Sequence, residues 1–208
     1  DEIICIDTVA SLYGRNNTVK LVKEISKNIF LPITVCGGIR TIQDASNIIL
    51  SGADKIGINT AAVDNPKFLT ILAKEFGSQS VVLSVEAKKI SPSKWEVFVN
   101  SGRDPTGIDV KLWIKKAVDL GIGSVFLTSI DNDGTKLGFD KELCEEVFDI
   151  CEVPLVISGG LGKMKDLKIL TDNRGMNGFA AASAFHNNLL TIHEIKKFLI
   201  DFKINVKN

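Results

Sequence analysis

Histidine, tyrosine, tryptophan and methionine are all scarce in this sequence. Its 208 residues include two His, two Trp, two Met and one Tyr. With only His186 and His193, a zinc site built on imidazoles is not expected. No metal ion and no other cofactor is called for. An excess of one charge sign is missing too: Lys plus Arg and Asp plus Glu number 25 each. That excludes a broadly basic surface, so no nucleic-acid partner is expected. No apolar run reaches the roughly 18 residues that a membrane-spanning helix needs. No basic segment leading into an apolar stretch opens the sequence, so no signal peptide is expected and the expected location is the cytoplasm. The cysteines Cys5, Cys36, Cys144 and Cys151 lack CxxC spacing. Three of them fall in apolar runs or on predicted helix faces, which reads as buried, reduced thiols.

What is present suffices for one sizeable core. Hydrophobic residues make up 45% and charged residues 24%, a balance that excludes disorder as the main reading. The length suits a single domain over residues 1–208 better than two small ones.

The apolar residues fall in short runs separated by amphipathic stretches. Strands are predicted over Ile3–Ile6, Ile33–Cys36, Lys55–Ile58, Val81–Val85, Val125–Thr128, Leu155–Ser158 and Gly178–Ala181. Helices are predicted over Val19–Ile29, Ile42–Ser51, Lys67–Phe76, Val110–Leu120, Lys141–Cys151, Lys163–Asp172 and Ile192–Phe202. The strand runs are continuous rather than alternating, the pattern of strands buried on both faces of a parallel sheet. Thr41, Asn65 and Asp109 read as helix-start residues. Gly52, Gly77 and Gly121 read as helix stops. Trp95–Asn100, after Ser91-Pro92-Ser93, reads as a small hairpin excursion. Strand–helix alternation of this kind is a parallel α/β fold, either an open doubly wound sheet or a closed barrel.

An internal repeat favours the barrel. Ile3–Asp7 aligns with Leu127–Asp131, each ending in Ile-Asp. Val35–Ile39 aligns with Ile157–Leu161 at an offset of 122, and Lys55–Thr60 with Phe179–Ala184 at an offset of 124. Val81–Val85 has no partner, which by the same repeat would lie about 40 residues before Asp1. The expectation is a (β/α)8 TIM barrel present as about seven of its eight units, without the N-terminal first strand and helix. A complete barrel runs to about 250 residues.

In such a barrel the chemistry sits at the C-terminal ends of the strands. Gly37-Gly38 and Gly159-Gly160 stand there at repeat-equivalent positions. Glycine lets backbone N–H groups approach an anion, and the helix that follows adds favourable partial charge. Asn59, Thr60 and Ser183 add donors in the neighbouring loops. The inference is two phosphate sites at one mouth, hence a ligand with phosphate at both ends; the plainer alternative is tight turns. Glu86, ending an apolar strand, is a candidate general acid/base. The alternative for it is a salt bridge with Lys88 or Lys55. Thr128, Ser129 and Asp131, at the end of the next strand, are grouped with Glu86 as catalytic candidates, and Asp131-Asn132-Asp133-Gly134 resembles the opening of a calcium loop. It follows a strand, however, and reads as a loop that orients substrate. Asp54-Lys55 is a charged pair entering a buried strand, so it belongs at the opposite mouth, where rim stability is the plain reading.

Several segments together resemble the cyclase subunit of imidazole glycerol phosphate synthase. They are Thr34–Arg40, Gly52–Ala62, Phe76–Gln79, Leu127–Thr135, Ser158–Gly160 and Ala182–His186. The resemblance implies a barrel that takes ammonia from a glutaminase docked at its bottom face. Ammonia would then pass through the interior to a bisphosphate at the top, yielding imidazole glycerol phosphate and an aminoimidazole carboxamide ribotide in histidine biosynthesis. Gly38, Asn59 and Thr60 would hold one phosphate. Asp133, Gly134, Gly160, Ala182 and Ser183 would hold the other. Lys55 and Glu2 would form the ammonia gate, and Asp54 would face the glutaminase.

The sequence departs from that family at several positions. One catalytic aspartate would lie in the missing first unit, and Glu86 replaces the other, about one methylene longer. Ser124 stands at a usually acidic gate position, and Cys36 at the first glycine of a triplet. Thr8–Asn17 and Ser84-Val-Glu-Ala-Lys88 are most similar to the paralogue found with surface-polysaccharide genes. That paralogue relays ammonia to an ATP-dependent enzyme that amidinates an N-acetyl sugar. The resemblance thus implies this paralogue first, a true histidine-pathway cyclase second, and a silent scaffold or regulator of the glutaminase third.

Overall fold

The computed structural model describes residues 1–8, 18–169 and 177–206. Among the described residues nine strands form one sheet: β1 Ile3–Ile6, β2 Ile33–Cys36, β3 Lys55–Ile58, β4 Val81–Ser91, β5 Lys94–Val99, β6 Asp104–Asp109, β7 Ser124–Ser129, β8 Leu155–Ser158 and β9 Gly178–Ala180. The main path runs β1-β2-β3-β4-β7-β8-β9, and each neighbouring pair along it is parallel. The sheet is a nearly closed (β/α)8-type barrel. The helices are α1 Thr18–Ser26, α2 Ile42–Leu50, α3 Thr60–Asp64, α4 Lys67–Phe76, α5 Val110–Asp119, α6 Lys141–Phe148, α7 Ser183–His186 and α8 Ile192–Asp201.

The continuous apolar runs follow from burial on both faces. On β4, Val81, Leu83 and Val85 are fully buried, as are Leu69 and Leu72 of α4 and Ile114 of α5. The other face of β4 carries Val82, Ser84 and Glu86. Pairing sets Gly57 beside Val82 on one side, and Ser124, Phe126 and Thr128 beside Val82, Ser84 and Glu86 on the other. That face lines the barrel interior, because Cys36, Gly57, Asn59, Ser84 and Glu86 share one cleft. Side-chain parity therefore decides which residues of each strand can meet a ligand.

Helix ends obey local chemistry. Thr41 caps α2 in a capping box with Asp44, and Asp109 caps α5 by accepting from Leu112 N–H. Asn65 does not cap as expected: Pro66 is the N-cap of α4 and no side-chain cap bond forms there. Proline pre-sets the helical φ and supplies no donor that would need a cap. Gly52, Gly77 and Gly121 follow their helices at φ of +111°, +84° and +95°, backbone that favours glycine. The helix expected over Lys163–Asp172 begins as a 3-10 turn at Met164–Leu167, and its part beyond 169 lies outside the described residues. All four cysteines are free, Cys36 and Cys144 buried and Cys5 and Cys151 partly so.

Two elements escape the sequence reading. The hairpin excursion gains a third strand, β6, antiparallel to β5. Its Asp-Pro-Thr-Gly-Ile-Asp sequence has poor strand propensity, which edge strands tolerate. Helix α3 is a single short turn directly after β3.

The repeat is real, but its registers differ from the sequence alignment. Ile6 pairs with Cys36 on one side and Thr128 with Ser158 on the other. Equivalent positions in these two strand pairs are therefore 122 apart throughout, and Asp7 matches Ser129 rather than Asp131. In the same way Lys55 pairs with Thr34, and Gly178 with Val156. That makes the β3–β9 offset 123, not 124, so Asn59 matches Ala182 and Thr60 matches Ser183. The corrected offset places both α3 and α7 at matching positions, each beginning directly after its N-cap, Asn59 or Ala182.

Candidate active site at the barrel mouth

A cleft of about 270 Å³ opens at the C-terminal ends of β1–β4, bounded by Asp7, Gly37, Gly38, Asn59, Thr60 and Glu86. Gly37 and Gly38 adopt φ of +101° and +73°. A Cβ on Gly37 would stand 2.3 Å from the Asp7 carbonyl oxygen, so only glycine lets these two loops meet. Thr60 opens α3, where first-turn N–H groups have no carbonyl behind them within the helix. Its Oγ1 accepts the Asn100 N–H at 3.1 Å. Thr18 Oγ1 donates to Asp7 Oδ2 at 2.9 Å, tying α1 to the rim.

Glu86 is the carboxylate of this cleft. Its Oε2 accepts from Asn59 Nδ2 at 2.7 Å and from the Gly102 N–H at 3.0 Å. Neither of the alternative salt bridges, to Lys88 or to Lys55, forms. Lys55 pairs with Glu2 instead, and the Lys88 ammonium lies over the Phe98 ring. Burial pushes the Glu86 carboxyl above the ordinary glutamate range; the Gly102 N–H and the Asn59 amide pull it partly back, and nearby Asp133 raises it again. The folded chain thus holds this proton more tightly than the unfolded chain does. The stability Glu86 contributes is complete below its ordinary titration range and is lost as pH rises through its elevated folded value. Thermal melts from pH 4 to 7 should therefore show a downward contribution with rising pH that is absent in Glu86→Gln. A wild-type and variant pair with superimposable pH profiles would refute it. Behind Glu86, burial and then the neighbouring Cys5 and Glu86 push the Cys36 thiol up to about 12. Cys36 occupies the space beside Gly57, where a Cβ would lie 2.1 Å from its sulfur.

The second glycine pair repeats the design across the barrel. Gly159 and Gly160 have φ of +96° and +103°. A Cβ on Gly159 would stand 2.8 Å from the Ser129 carbonyl, and one on Gly160 2.0 Å from the Gly138 carbonyl. The Gly138 N–H returns a bond to Gly160 O at 2.8 Å, and Asn132 Nδ2 holds Gly138 O at 2.8 Å. Asp133 and Gly134 lie in this interlocked loop, and the Asp133 carboxylate acts on the Glu86 charge. Ala182 and Ser183 begin α7 in the next loop.

The structure separates the residues ending β7. Thr128 sits opposite Glu86 on the interior face. Ser129, one residue on, points the other way: it is buried and donates to Asp140 Oδ2 at 3.2 Å, an oxygen also held by Trp95 Nε1 at 3.1 Å. Asp131 accepts the Lys89 N–H at 2.8 Å and borders a separate shallow pocket with Pro92 and Asp140. Ser129 and Asp131 therefore brace the hairpin and α6, rather than joining Glu86. The sequence reading missed the hairpin tip, Asn100–Gly102, which overhangs the cleft and contributes Ser101 to its lining. Its Asn-Ser-Gly composition signals only a turn.

At the opposite end of the interior, Lys55 Nζ contacts both Glu2 carboxylate oxygens, at 3.2 and 3.1 Å. Asp54 is exposed, yet one of its oxygens accepts the Ile33 N–H at 2.8 Å. Among the described residues no helix is long and apolar enough to cross a membrane.

A parallel barrel with a half-buried carboxylate at its C-terminal mouth, and repeated glycine-bent loops around it, defines the class: a (β/α)8 barrel of duplicated half-barrels. Residues 1–191 match the family model described as histidine biosynthesis protein. Three similar relatives are each named imidazole glycerol phosphate synthase subunit HisF. That of Legionella pneumophila is 49% identical over 80% of this chain and 78% of its own length. That of Dictyoglomus thermophilum is 45% identical over 96% and 79%, and that of Streptococcus mutans 38% identical over 100% and 82%. The chain belongs to the histidine-biosynthesis protein family, with the cyclase subunits of imidazole glycerol phosphate synthase.

Proposed function

We propose that this chain is an ammonia-accepting, cyclase-type barrel that binds a bisphosphate at the mouth and uses Glu86 as its acid/base. The observation that carries this reading is the interior face itself. It begins with the Lys55–Glu2 pair at the bottom and ends with Glu86 at the top. Between them stand small or polar side chains, Cys36, Gly57, Ser84 and Ser124, together with the larger Val82 and Phe126. Ammonia would be released by a glutaminase docked at the bottom and pass along this face. Thr128, opposite Glu86, would orient the reacting group.

The phosphate sites would be Gly37, Gly38 and Thr60, with the backbone at Asn59, on one side. Asp133, Gly134, Gly159, Gly160, Ala182 and Ser183 would form the other. Inorganic phosphate or a bisphosphate analogue at a hundredfold excess over its Kd should add about 2.7 kcal/mol of stability. For a domain of this size that is a rise in Tm of roughly 5–11 °C. An unchanged melting curve would favour a silent scaffold.

Asp54 would lie at the glutaminase interface. Because it also holds the Ile33 N–H, two substitutions separate its roles. Asp54→Asn keeps the acceptor and removes the charge, so it should weaken glutaminase docking with little change in Tm. Asp54→Ala loses both, and should lower docking and stability together. Unaltered docking in both variants would remove Asp54 from the interface.

Ser84-Val-Glu-Ala-Lys88 favours a second reading. A glutamate where cyclases have aspartate shifts the carboxylate, and a misplacement near 1 Å can cost about 100-fold in rate. On that reading the barrel passes ammonia to an ATP-dependent enzyme that amidinates an N-acetyl sugar, in surface-polysaccharide synthesis. The other segment behind this reading, Thr8–Asn17, lies outside the described residues beyond Thr8. Supplying ammonium salt with the histidine-pathway bisphosphate distinguishes the two.

A further inference from the structure

The Asn59 side chain has no donor left for an anion. Its Nδ2 gives one hydrogen to Glu86 Oε2 at 2.7 Å and the other to the Phe98 carbonyl at 3.1 Å. With Glu86 ionised, turning the amide over would set Oδ1 against a carboxylate and a carbonyl, three acceptors with no proton between them. Oδ1 is buried, with no hydrogen-bond partner among the described residues, and an unprotonated phosphate oxygen has no hydrogen to offer it. The same Glu86 oxygen takes the Gly102 N–H at 3.0 Å. Gly102 belongs to a tip in which Asn100, Ser101 and Gly102 all adopt left-handed φ, at +52°, +60° and +72°. Three residues in that conformation persist only where the surroundings hold them. Here the Asn100 N–H bonds Thr60 Oγ1 at 3.1 Å, and Ser101 Oγ donates to the Thr8 carbonyl at 2.6 Å.

We propose that Asn59 and the hairpin tip are positioning elements that clamp Glu86 by Oε2, leaving Oε1 as the oxygen that takes up and returns the proton. A phosphate in the first glycine-bent loop is then held by backbone N–H groups, not by the Asn59 amide. Two N–H donors on Oε2 concentrate the carboxylate charge there, and a proton placed on that oxygen would displace one of them. No hydrogen bond reaches Oε1 among the described residues. The proposal rests on Glu86 being the acid/base of the mouth.

The test needs no turnover. Glu86 is titrated by carboxyl NMR in glutamate-labelled protein, its signal identified by its loss in Glu86→Gln, and inorganic phosphate affinity is measured alongside. In Asn59→Ala the Glu86 midpoint should rise by about one unit, the loss of one charge-assisted bond. Phosphate affinity should stay within about twofold, since the backbone donors remain. Asn59→Leu, which keeps nearly the same bulk and carries no donor, serves the same purpose should the alanine variant not fold. An unmoved midpoint with phosphate binding lost would overturn the proposal and return the Asn59 side chain to the anion. Failure of the cyclase reading would show elsewhere, as absent turnover with the Glu86 titration still responding to Asn59.

Discussion

Glu86→Gln should abolish ring closure while leaving the fold and glutaminase docking intact. Glutamine keeps the shape, and its oxygen can still accept from Asn59 Nδ2 and the Gly102 N–H, the two bonds that hold Oε2. What it loses is the ability to take up and return a proton. General acid/base groups contribute about 10²–10⁴-fold, so kcat with ammonium salt should fall by at least about 100-fold. Docking should not change, because Glu86 lies at the top of the barrel and the Lys55–Glu2 pair at the bottom. A variant that loses the glutaminase would place Glu86 in the architecture rather than the chemistry. A variant that turns over normally would move the proton transfer to another carboxylate of the mouth, such as Asp7 or Asp133.

Gly160→Ala should be the most damaging single substitution at the second loop pair. Gly160 sits at φ +103°, and a Cβ there would lie 2.0 Å from the Gly138 carbonyl and 3.2 Å from Asn132 Cβ. Neither neighbour is the free end of a flexible side chain, and the Gly138 N–H is itself bonded to Gly160 O. Backbone strain of this kind costs about 1–3 kcal/mol, and the forced separation of two interlocked loops adds to it. A loss of about 3 kcal/mol or more corresponds to a Tm lower by roughly 6–12 °C in a domain of this size. Gly107→Ala is the control. Its φ is +72°, but nothing lies within 4 Å of its Cβ, so only the conformational cost of about 1–2 kcal/mol applies. Calorimetry showing equal losses for the two variants would mean that close approach contributes nothing at Gly160.

The strands β1, β2, β3 and β8 coincide with their apolar runs residue for residue, because burial on both faces makes the run itself the signal. Glu86 was legible for a related reason: a charge that ends such a run at a barrel's C-terminal mouth has few structural excuses. Register was not legible. The repeated Ile-Asp misled by two residues, a slip that preserves face parity. At β3 the slip was one residue, and it inverts which side chains point inward. Parity also explains the mistaken grouping of Ser129 with Thr128, since neighbours on a strand face opposite ways. The hairpin tip was invisible because two of its contacts are made by backbone N–H groups to Thr60 and Glu86, 40 and 16 residues away, and a third by Ser101 Oγ to the Thr8 carbonyl, 93 residues away. Long-range backbone contacts of that kind leave no local pattern.

The most direct measurement is turnover of the histidine-pathway bisphosphate, phosphoribulosyl formimino carboxamide ribotide, by the protein supplied with ammonium salt. Wild-type protein and Glu86→Gln would be followed side by side. The expected result is ammonium-dependent loss of substrate at about 1 per second or more in the wild type, collapsing in the variant. Substrate that binds and stabilises the protein but is never consumed would contradict the cyclase chemistry, and leave a barrel that only delivers ammonia onward.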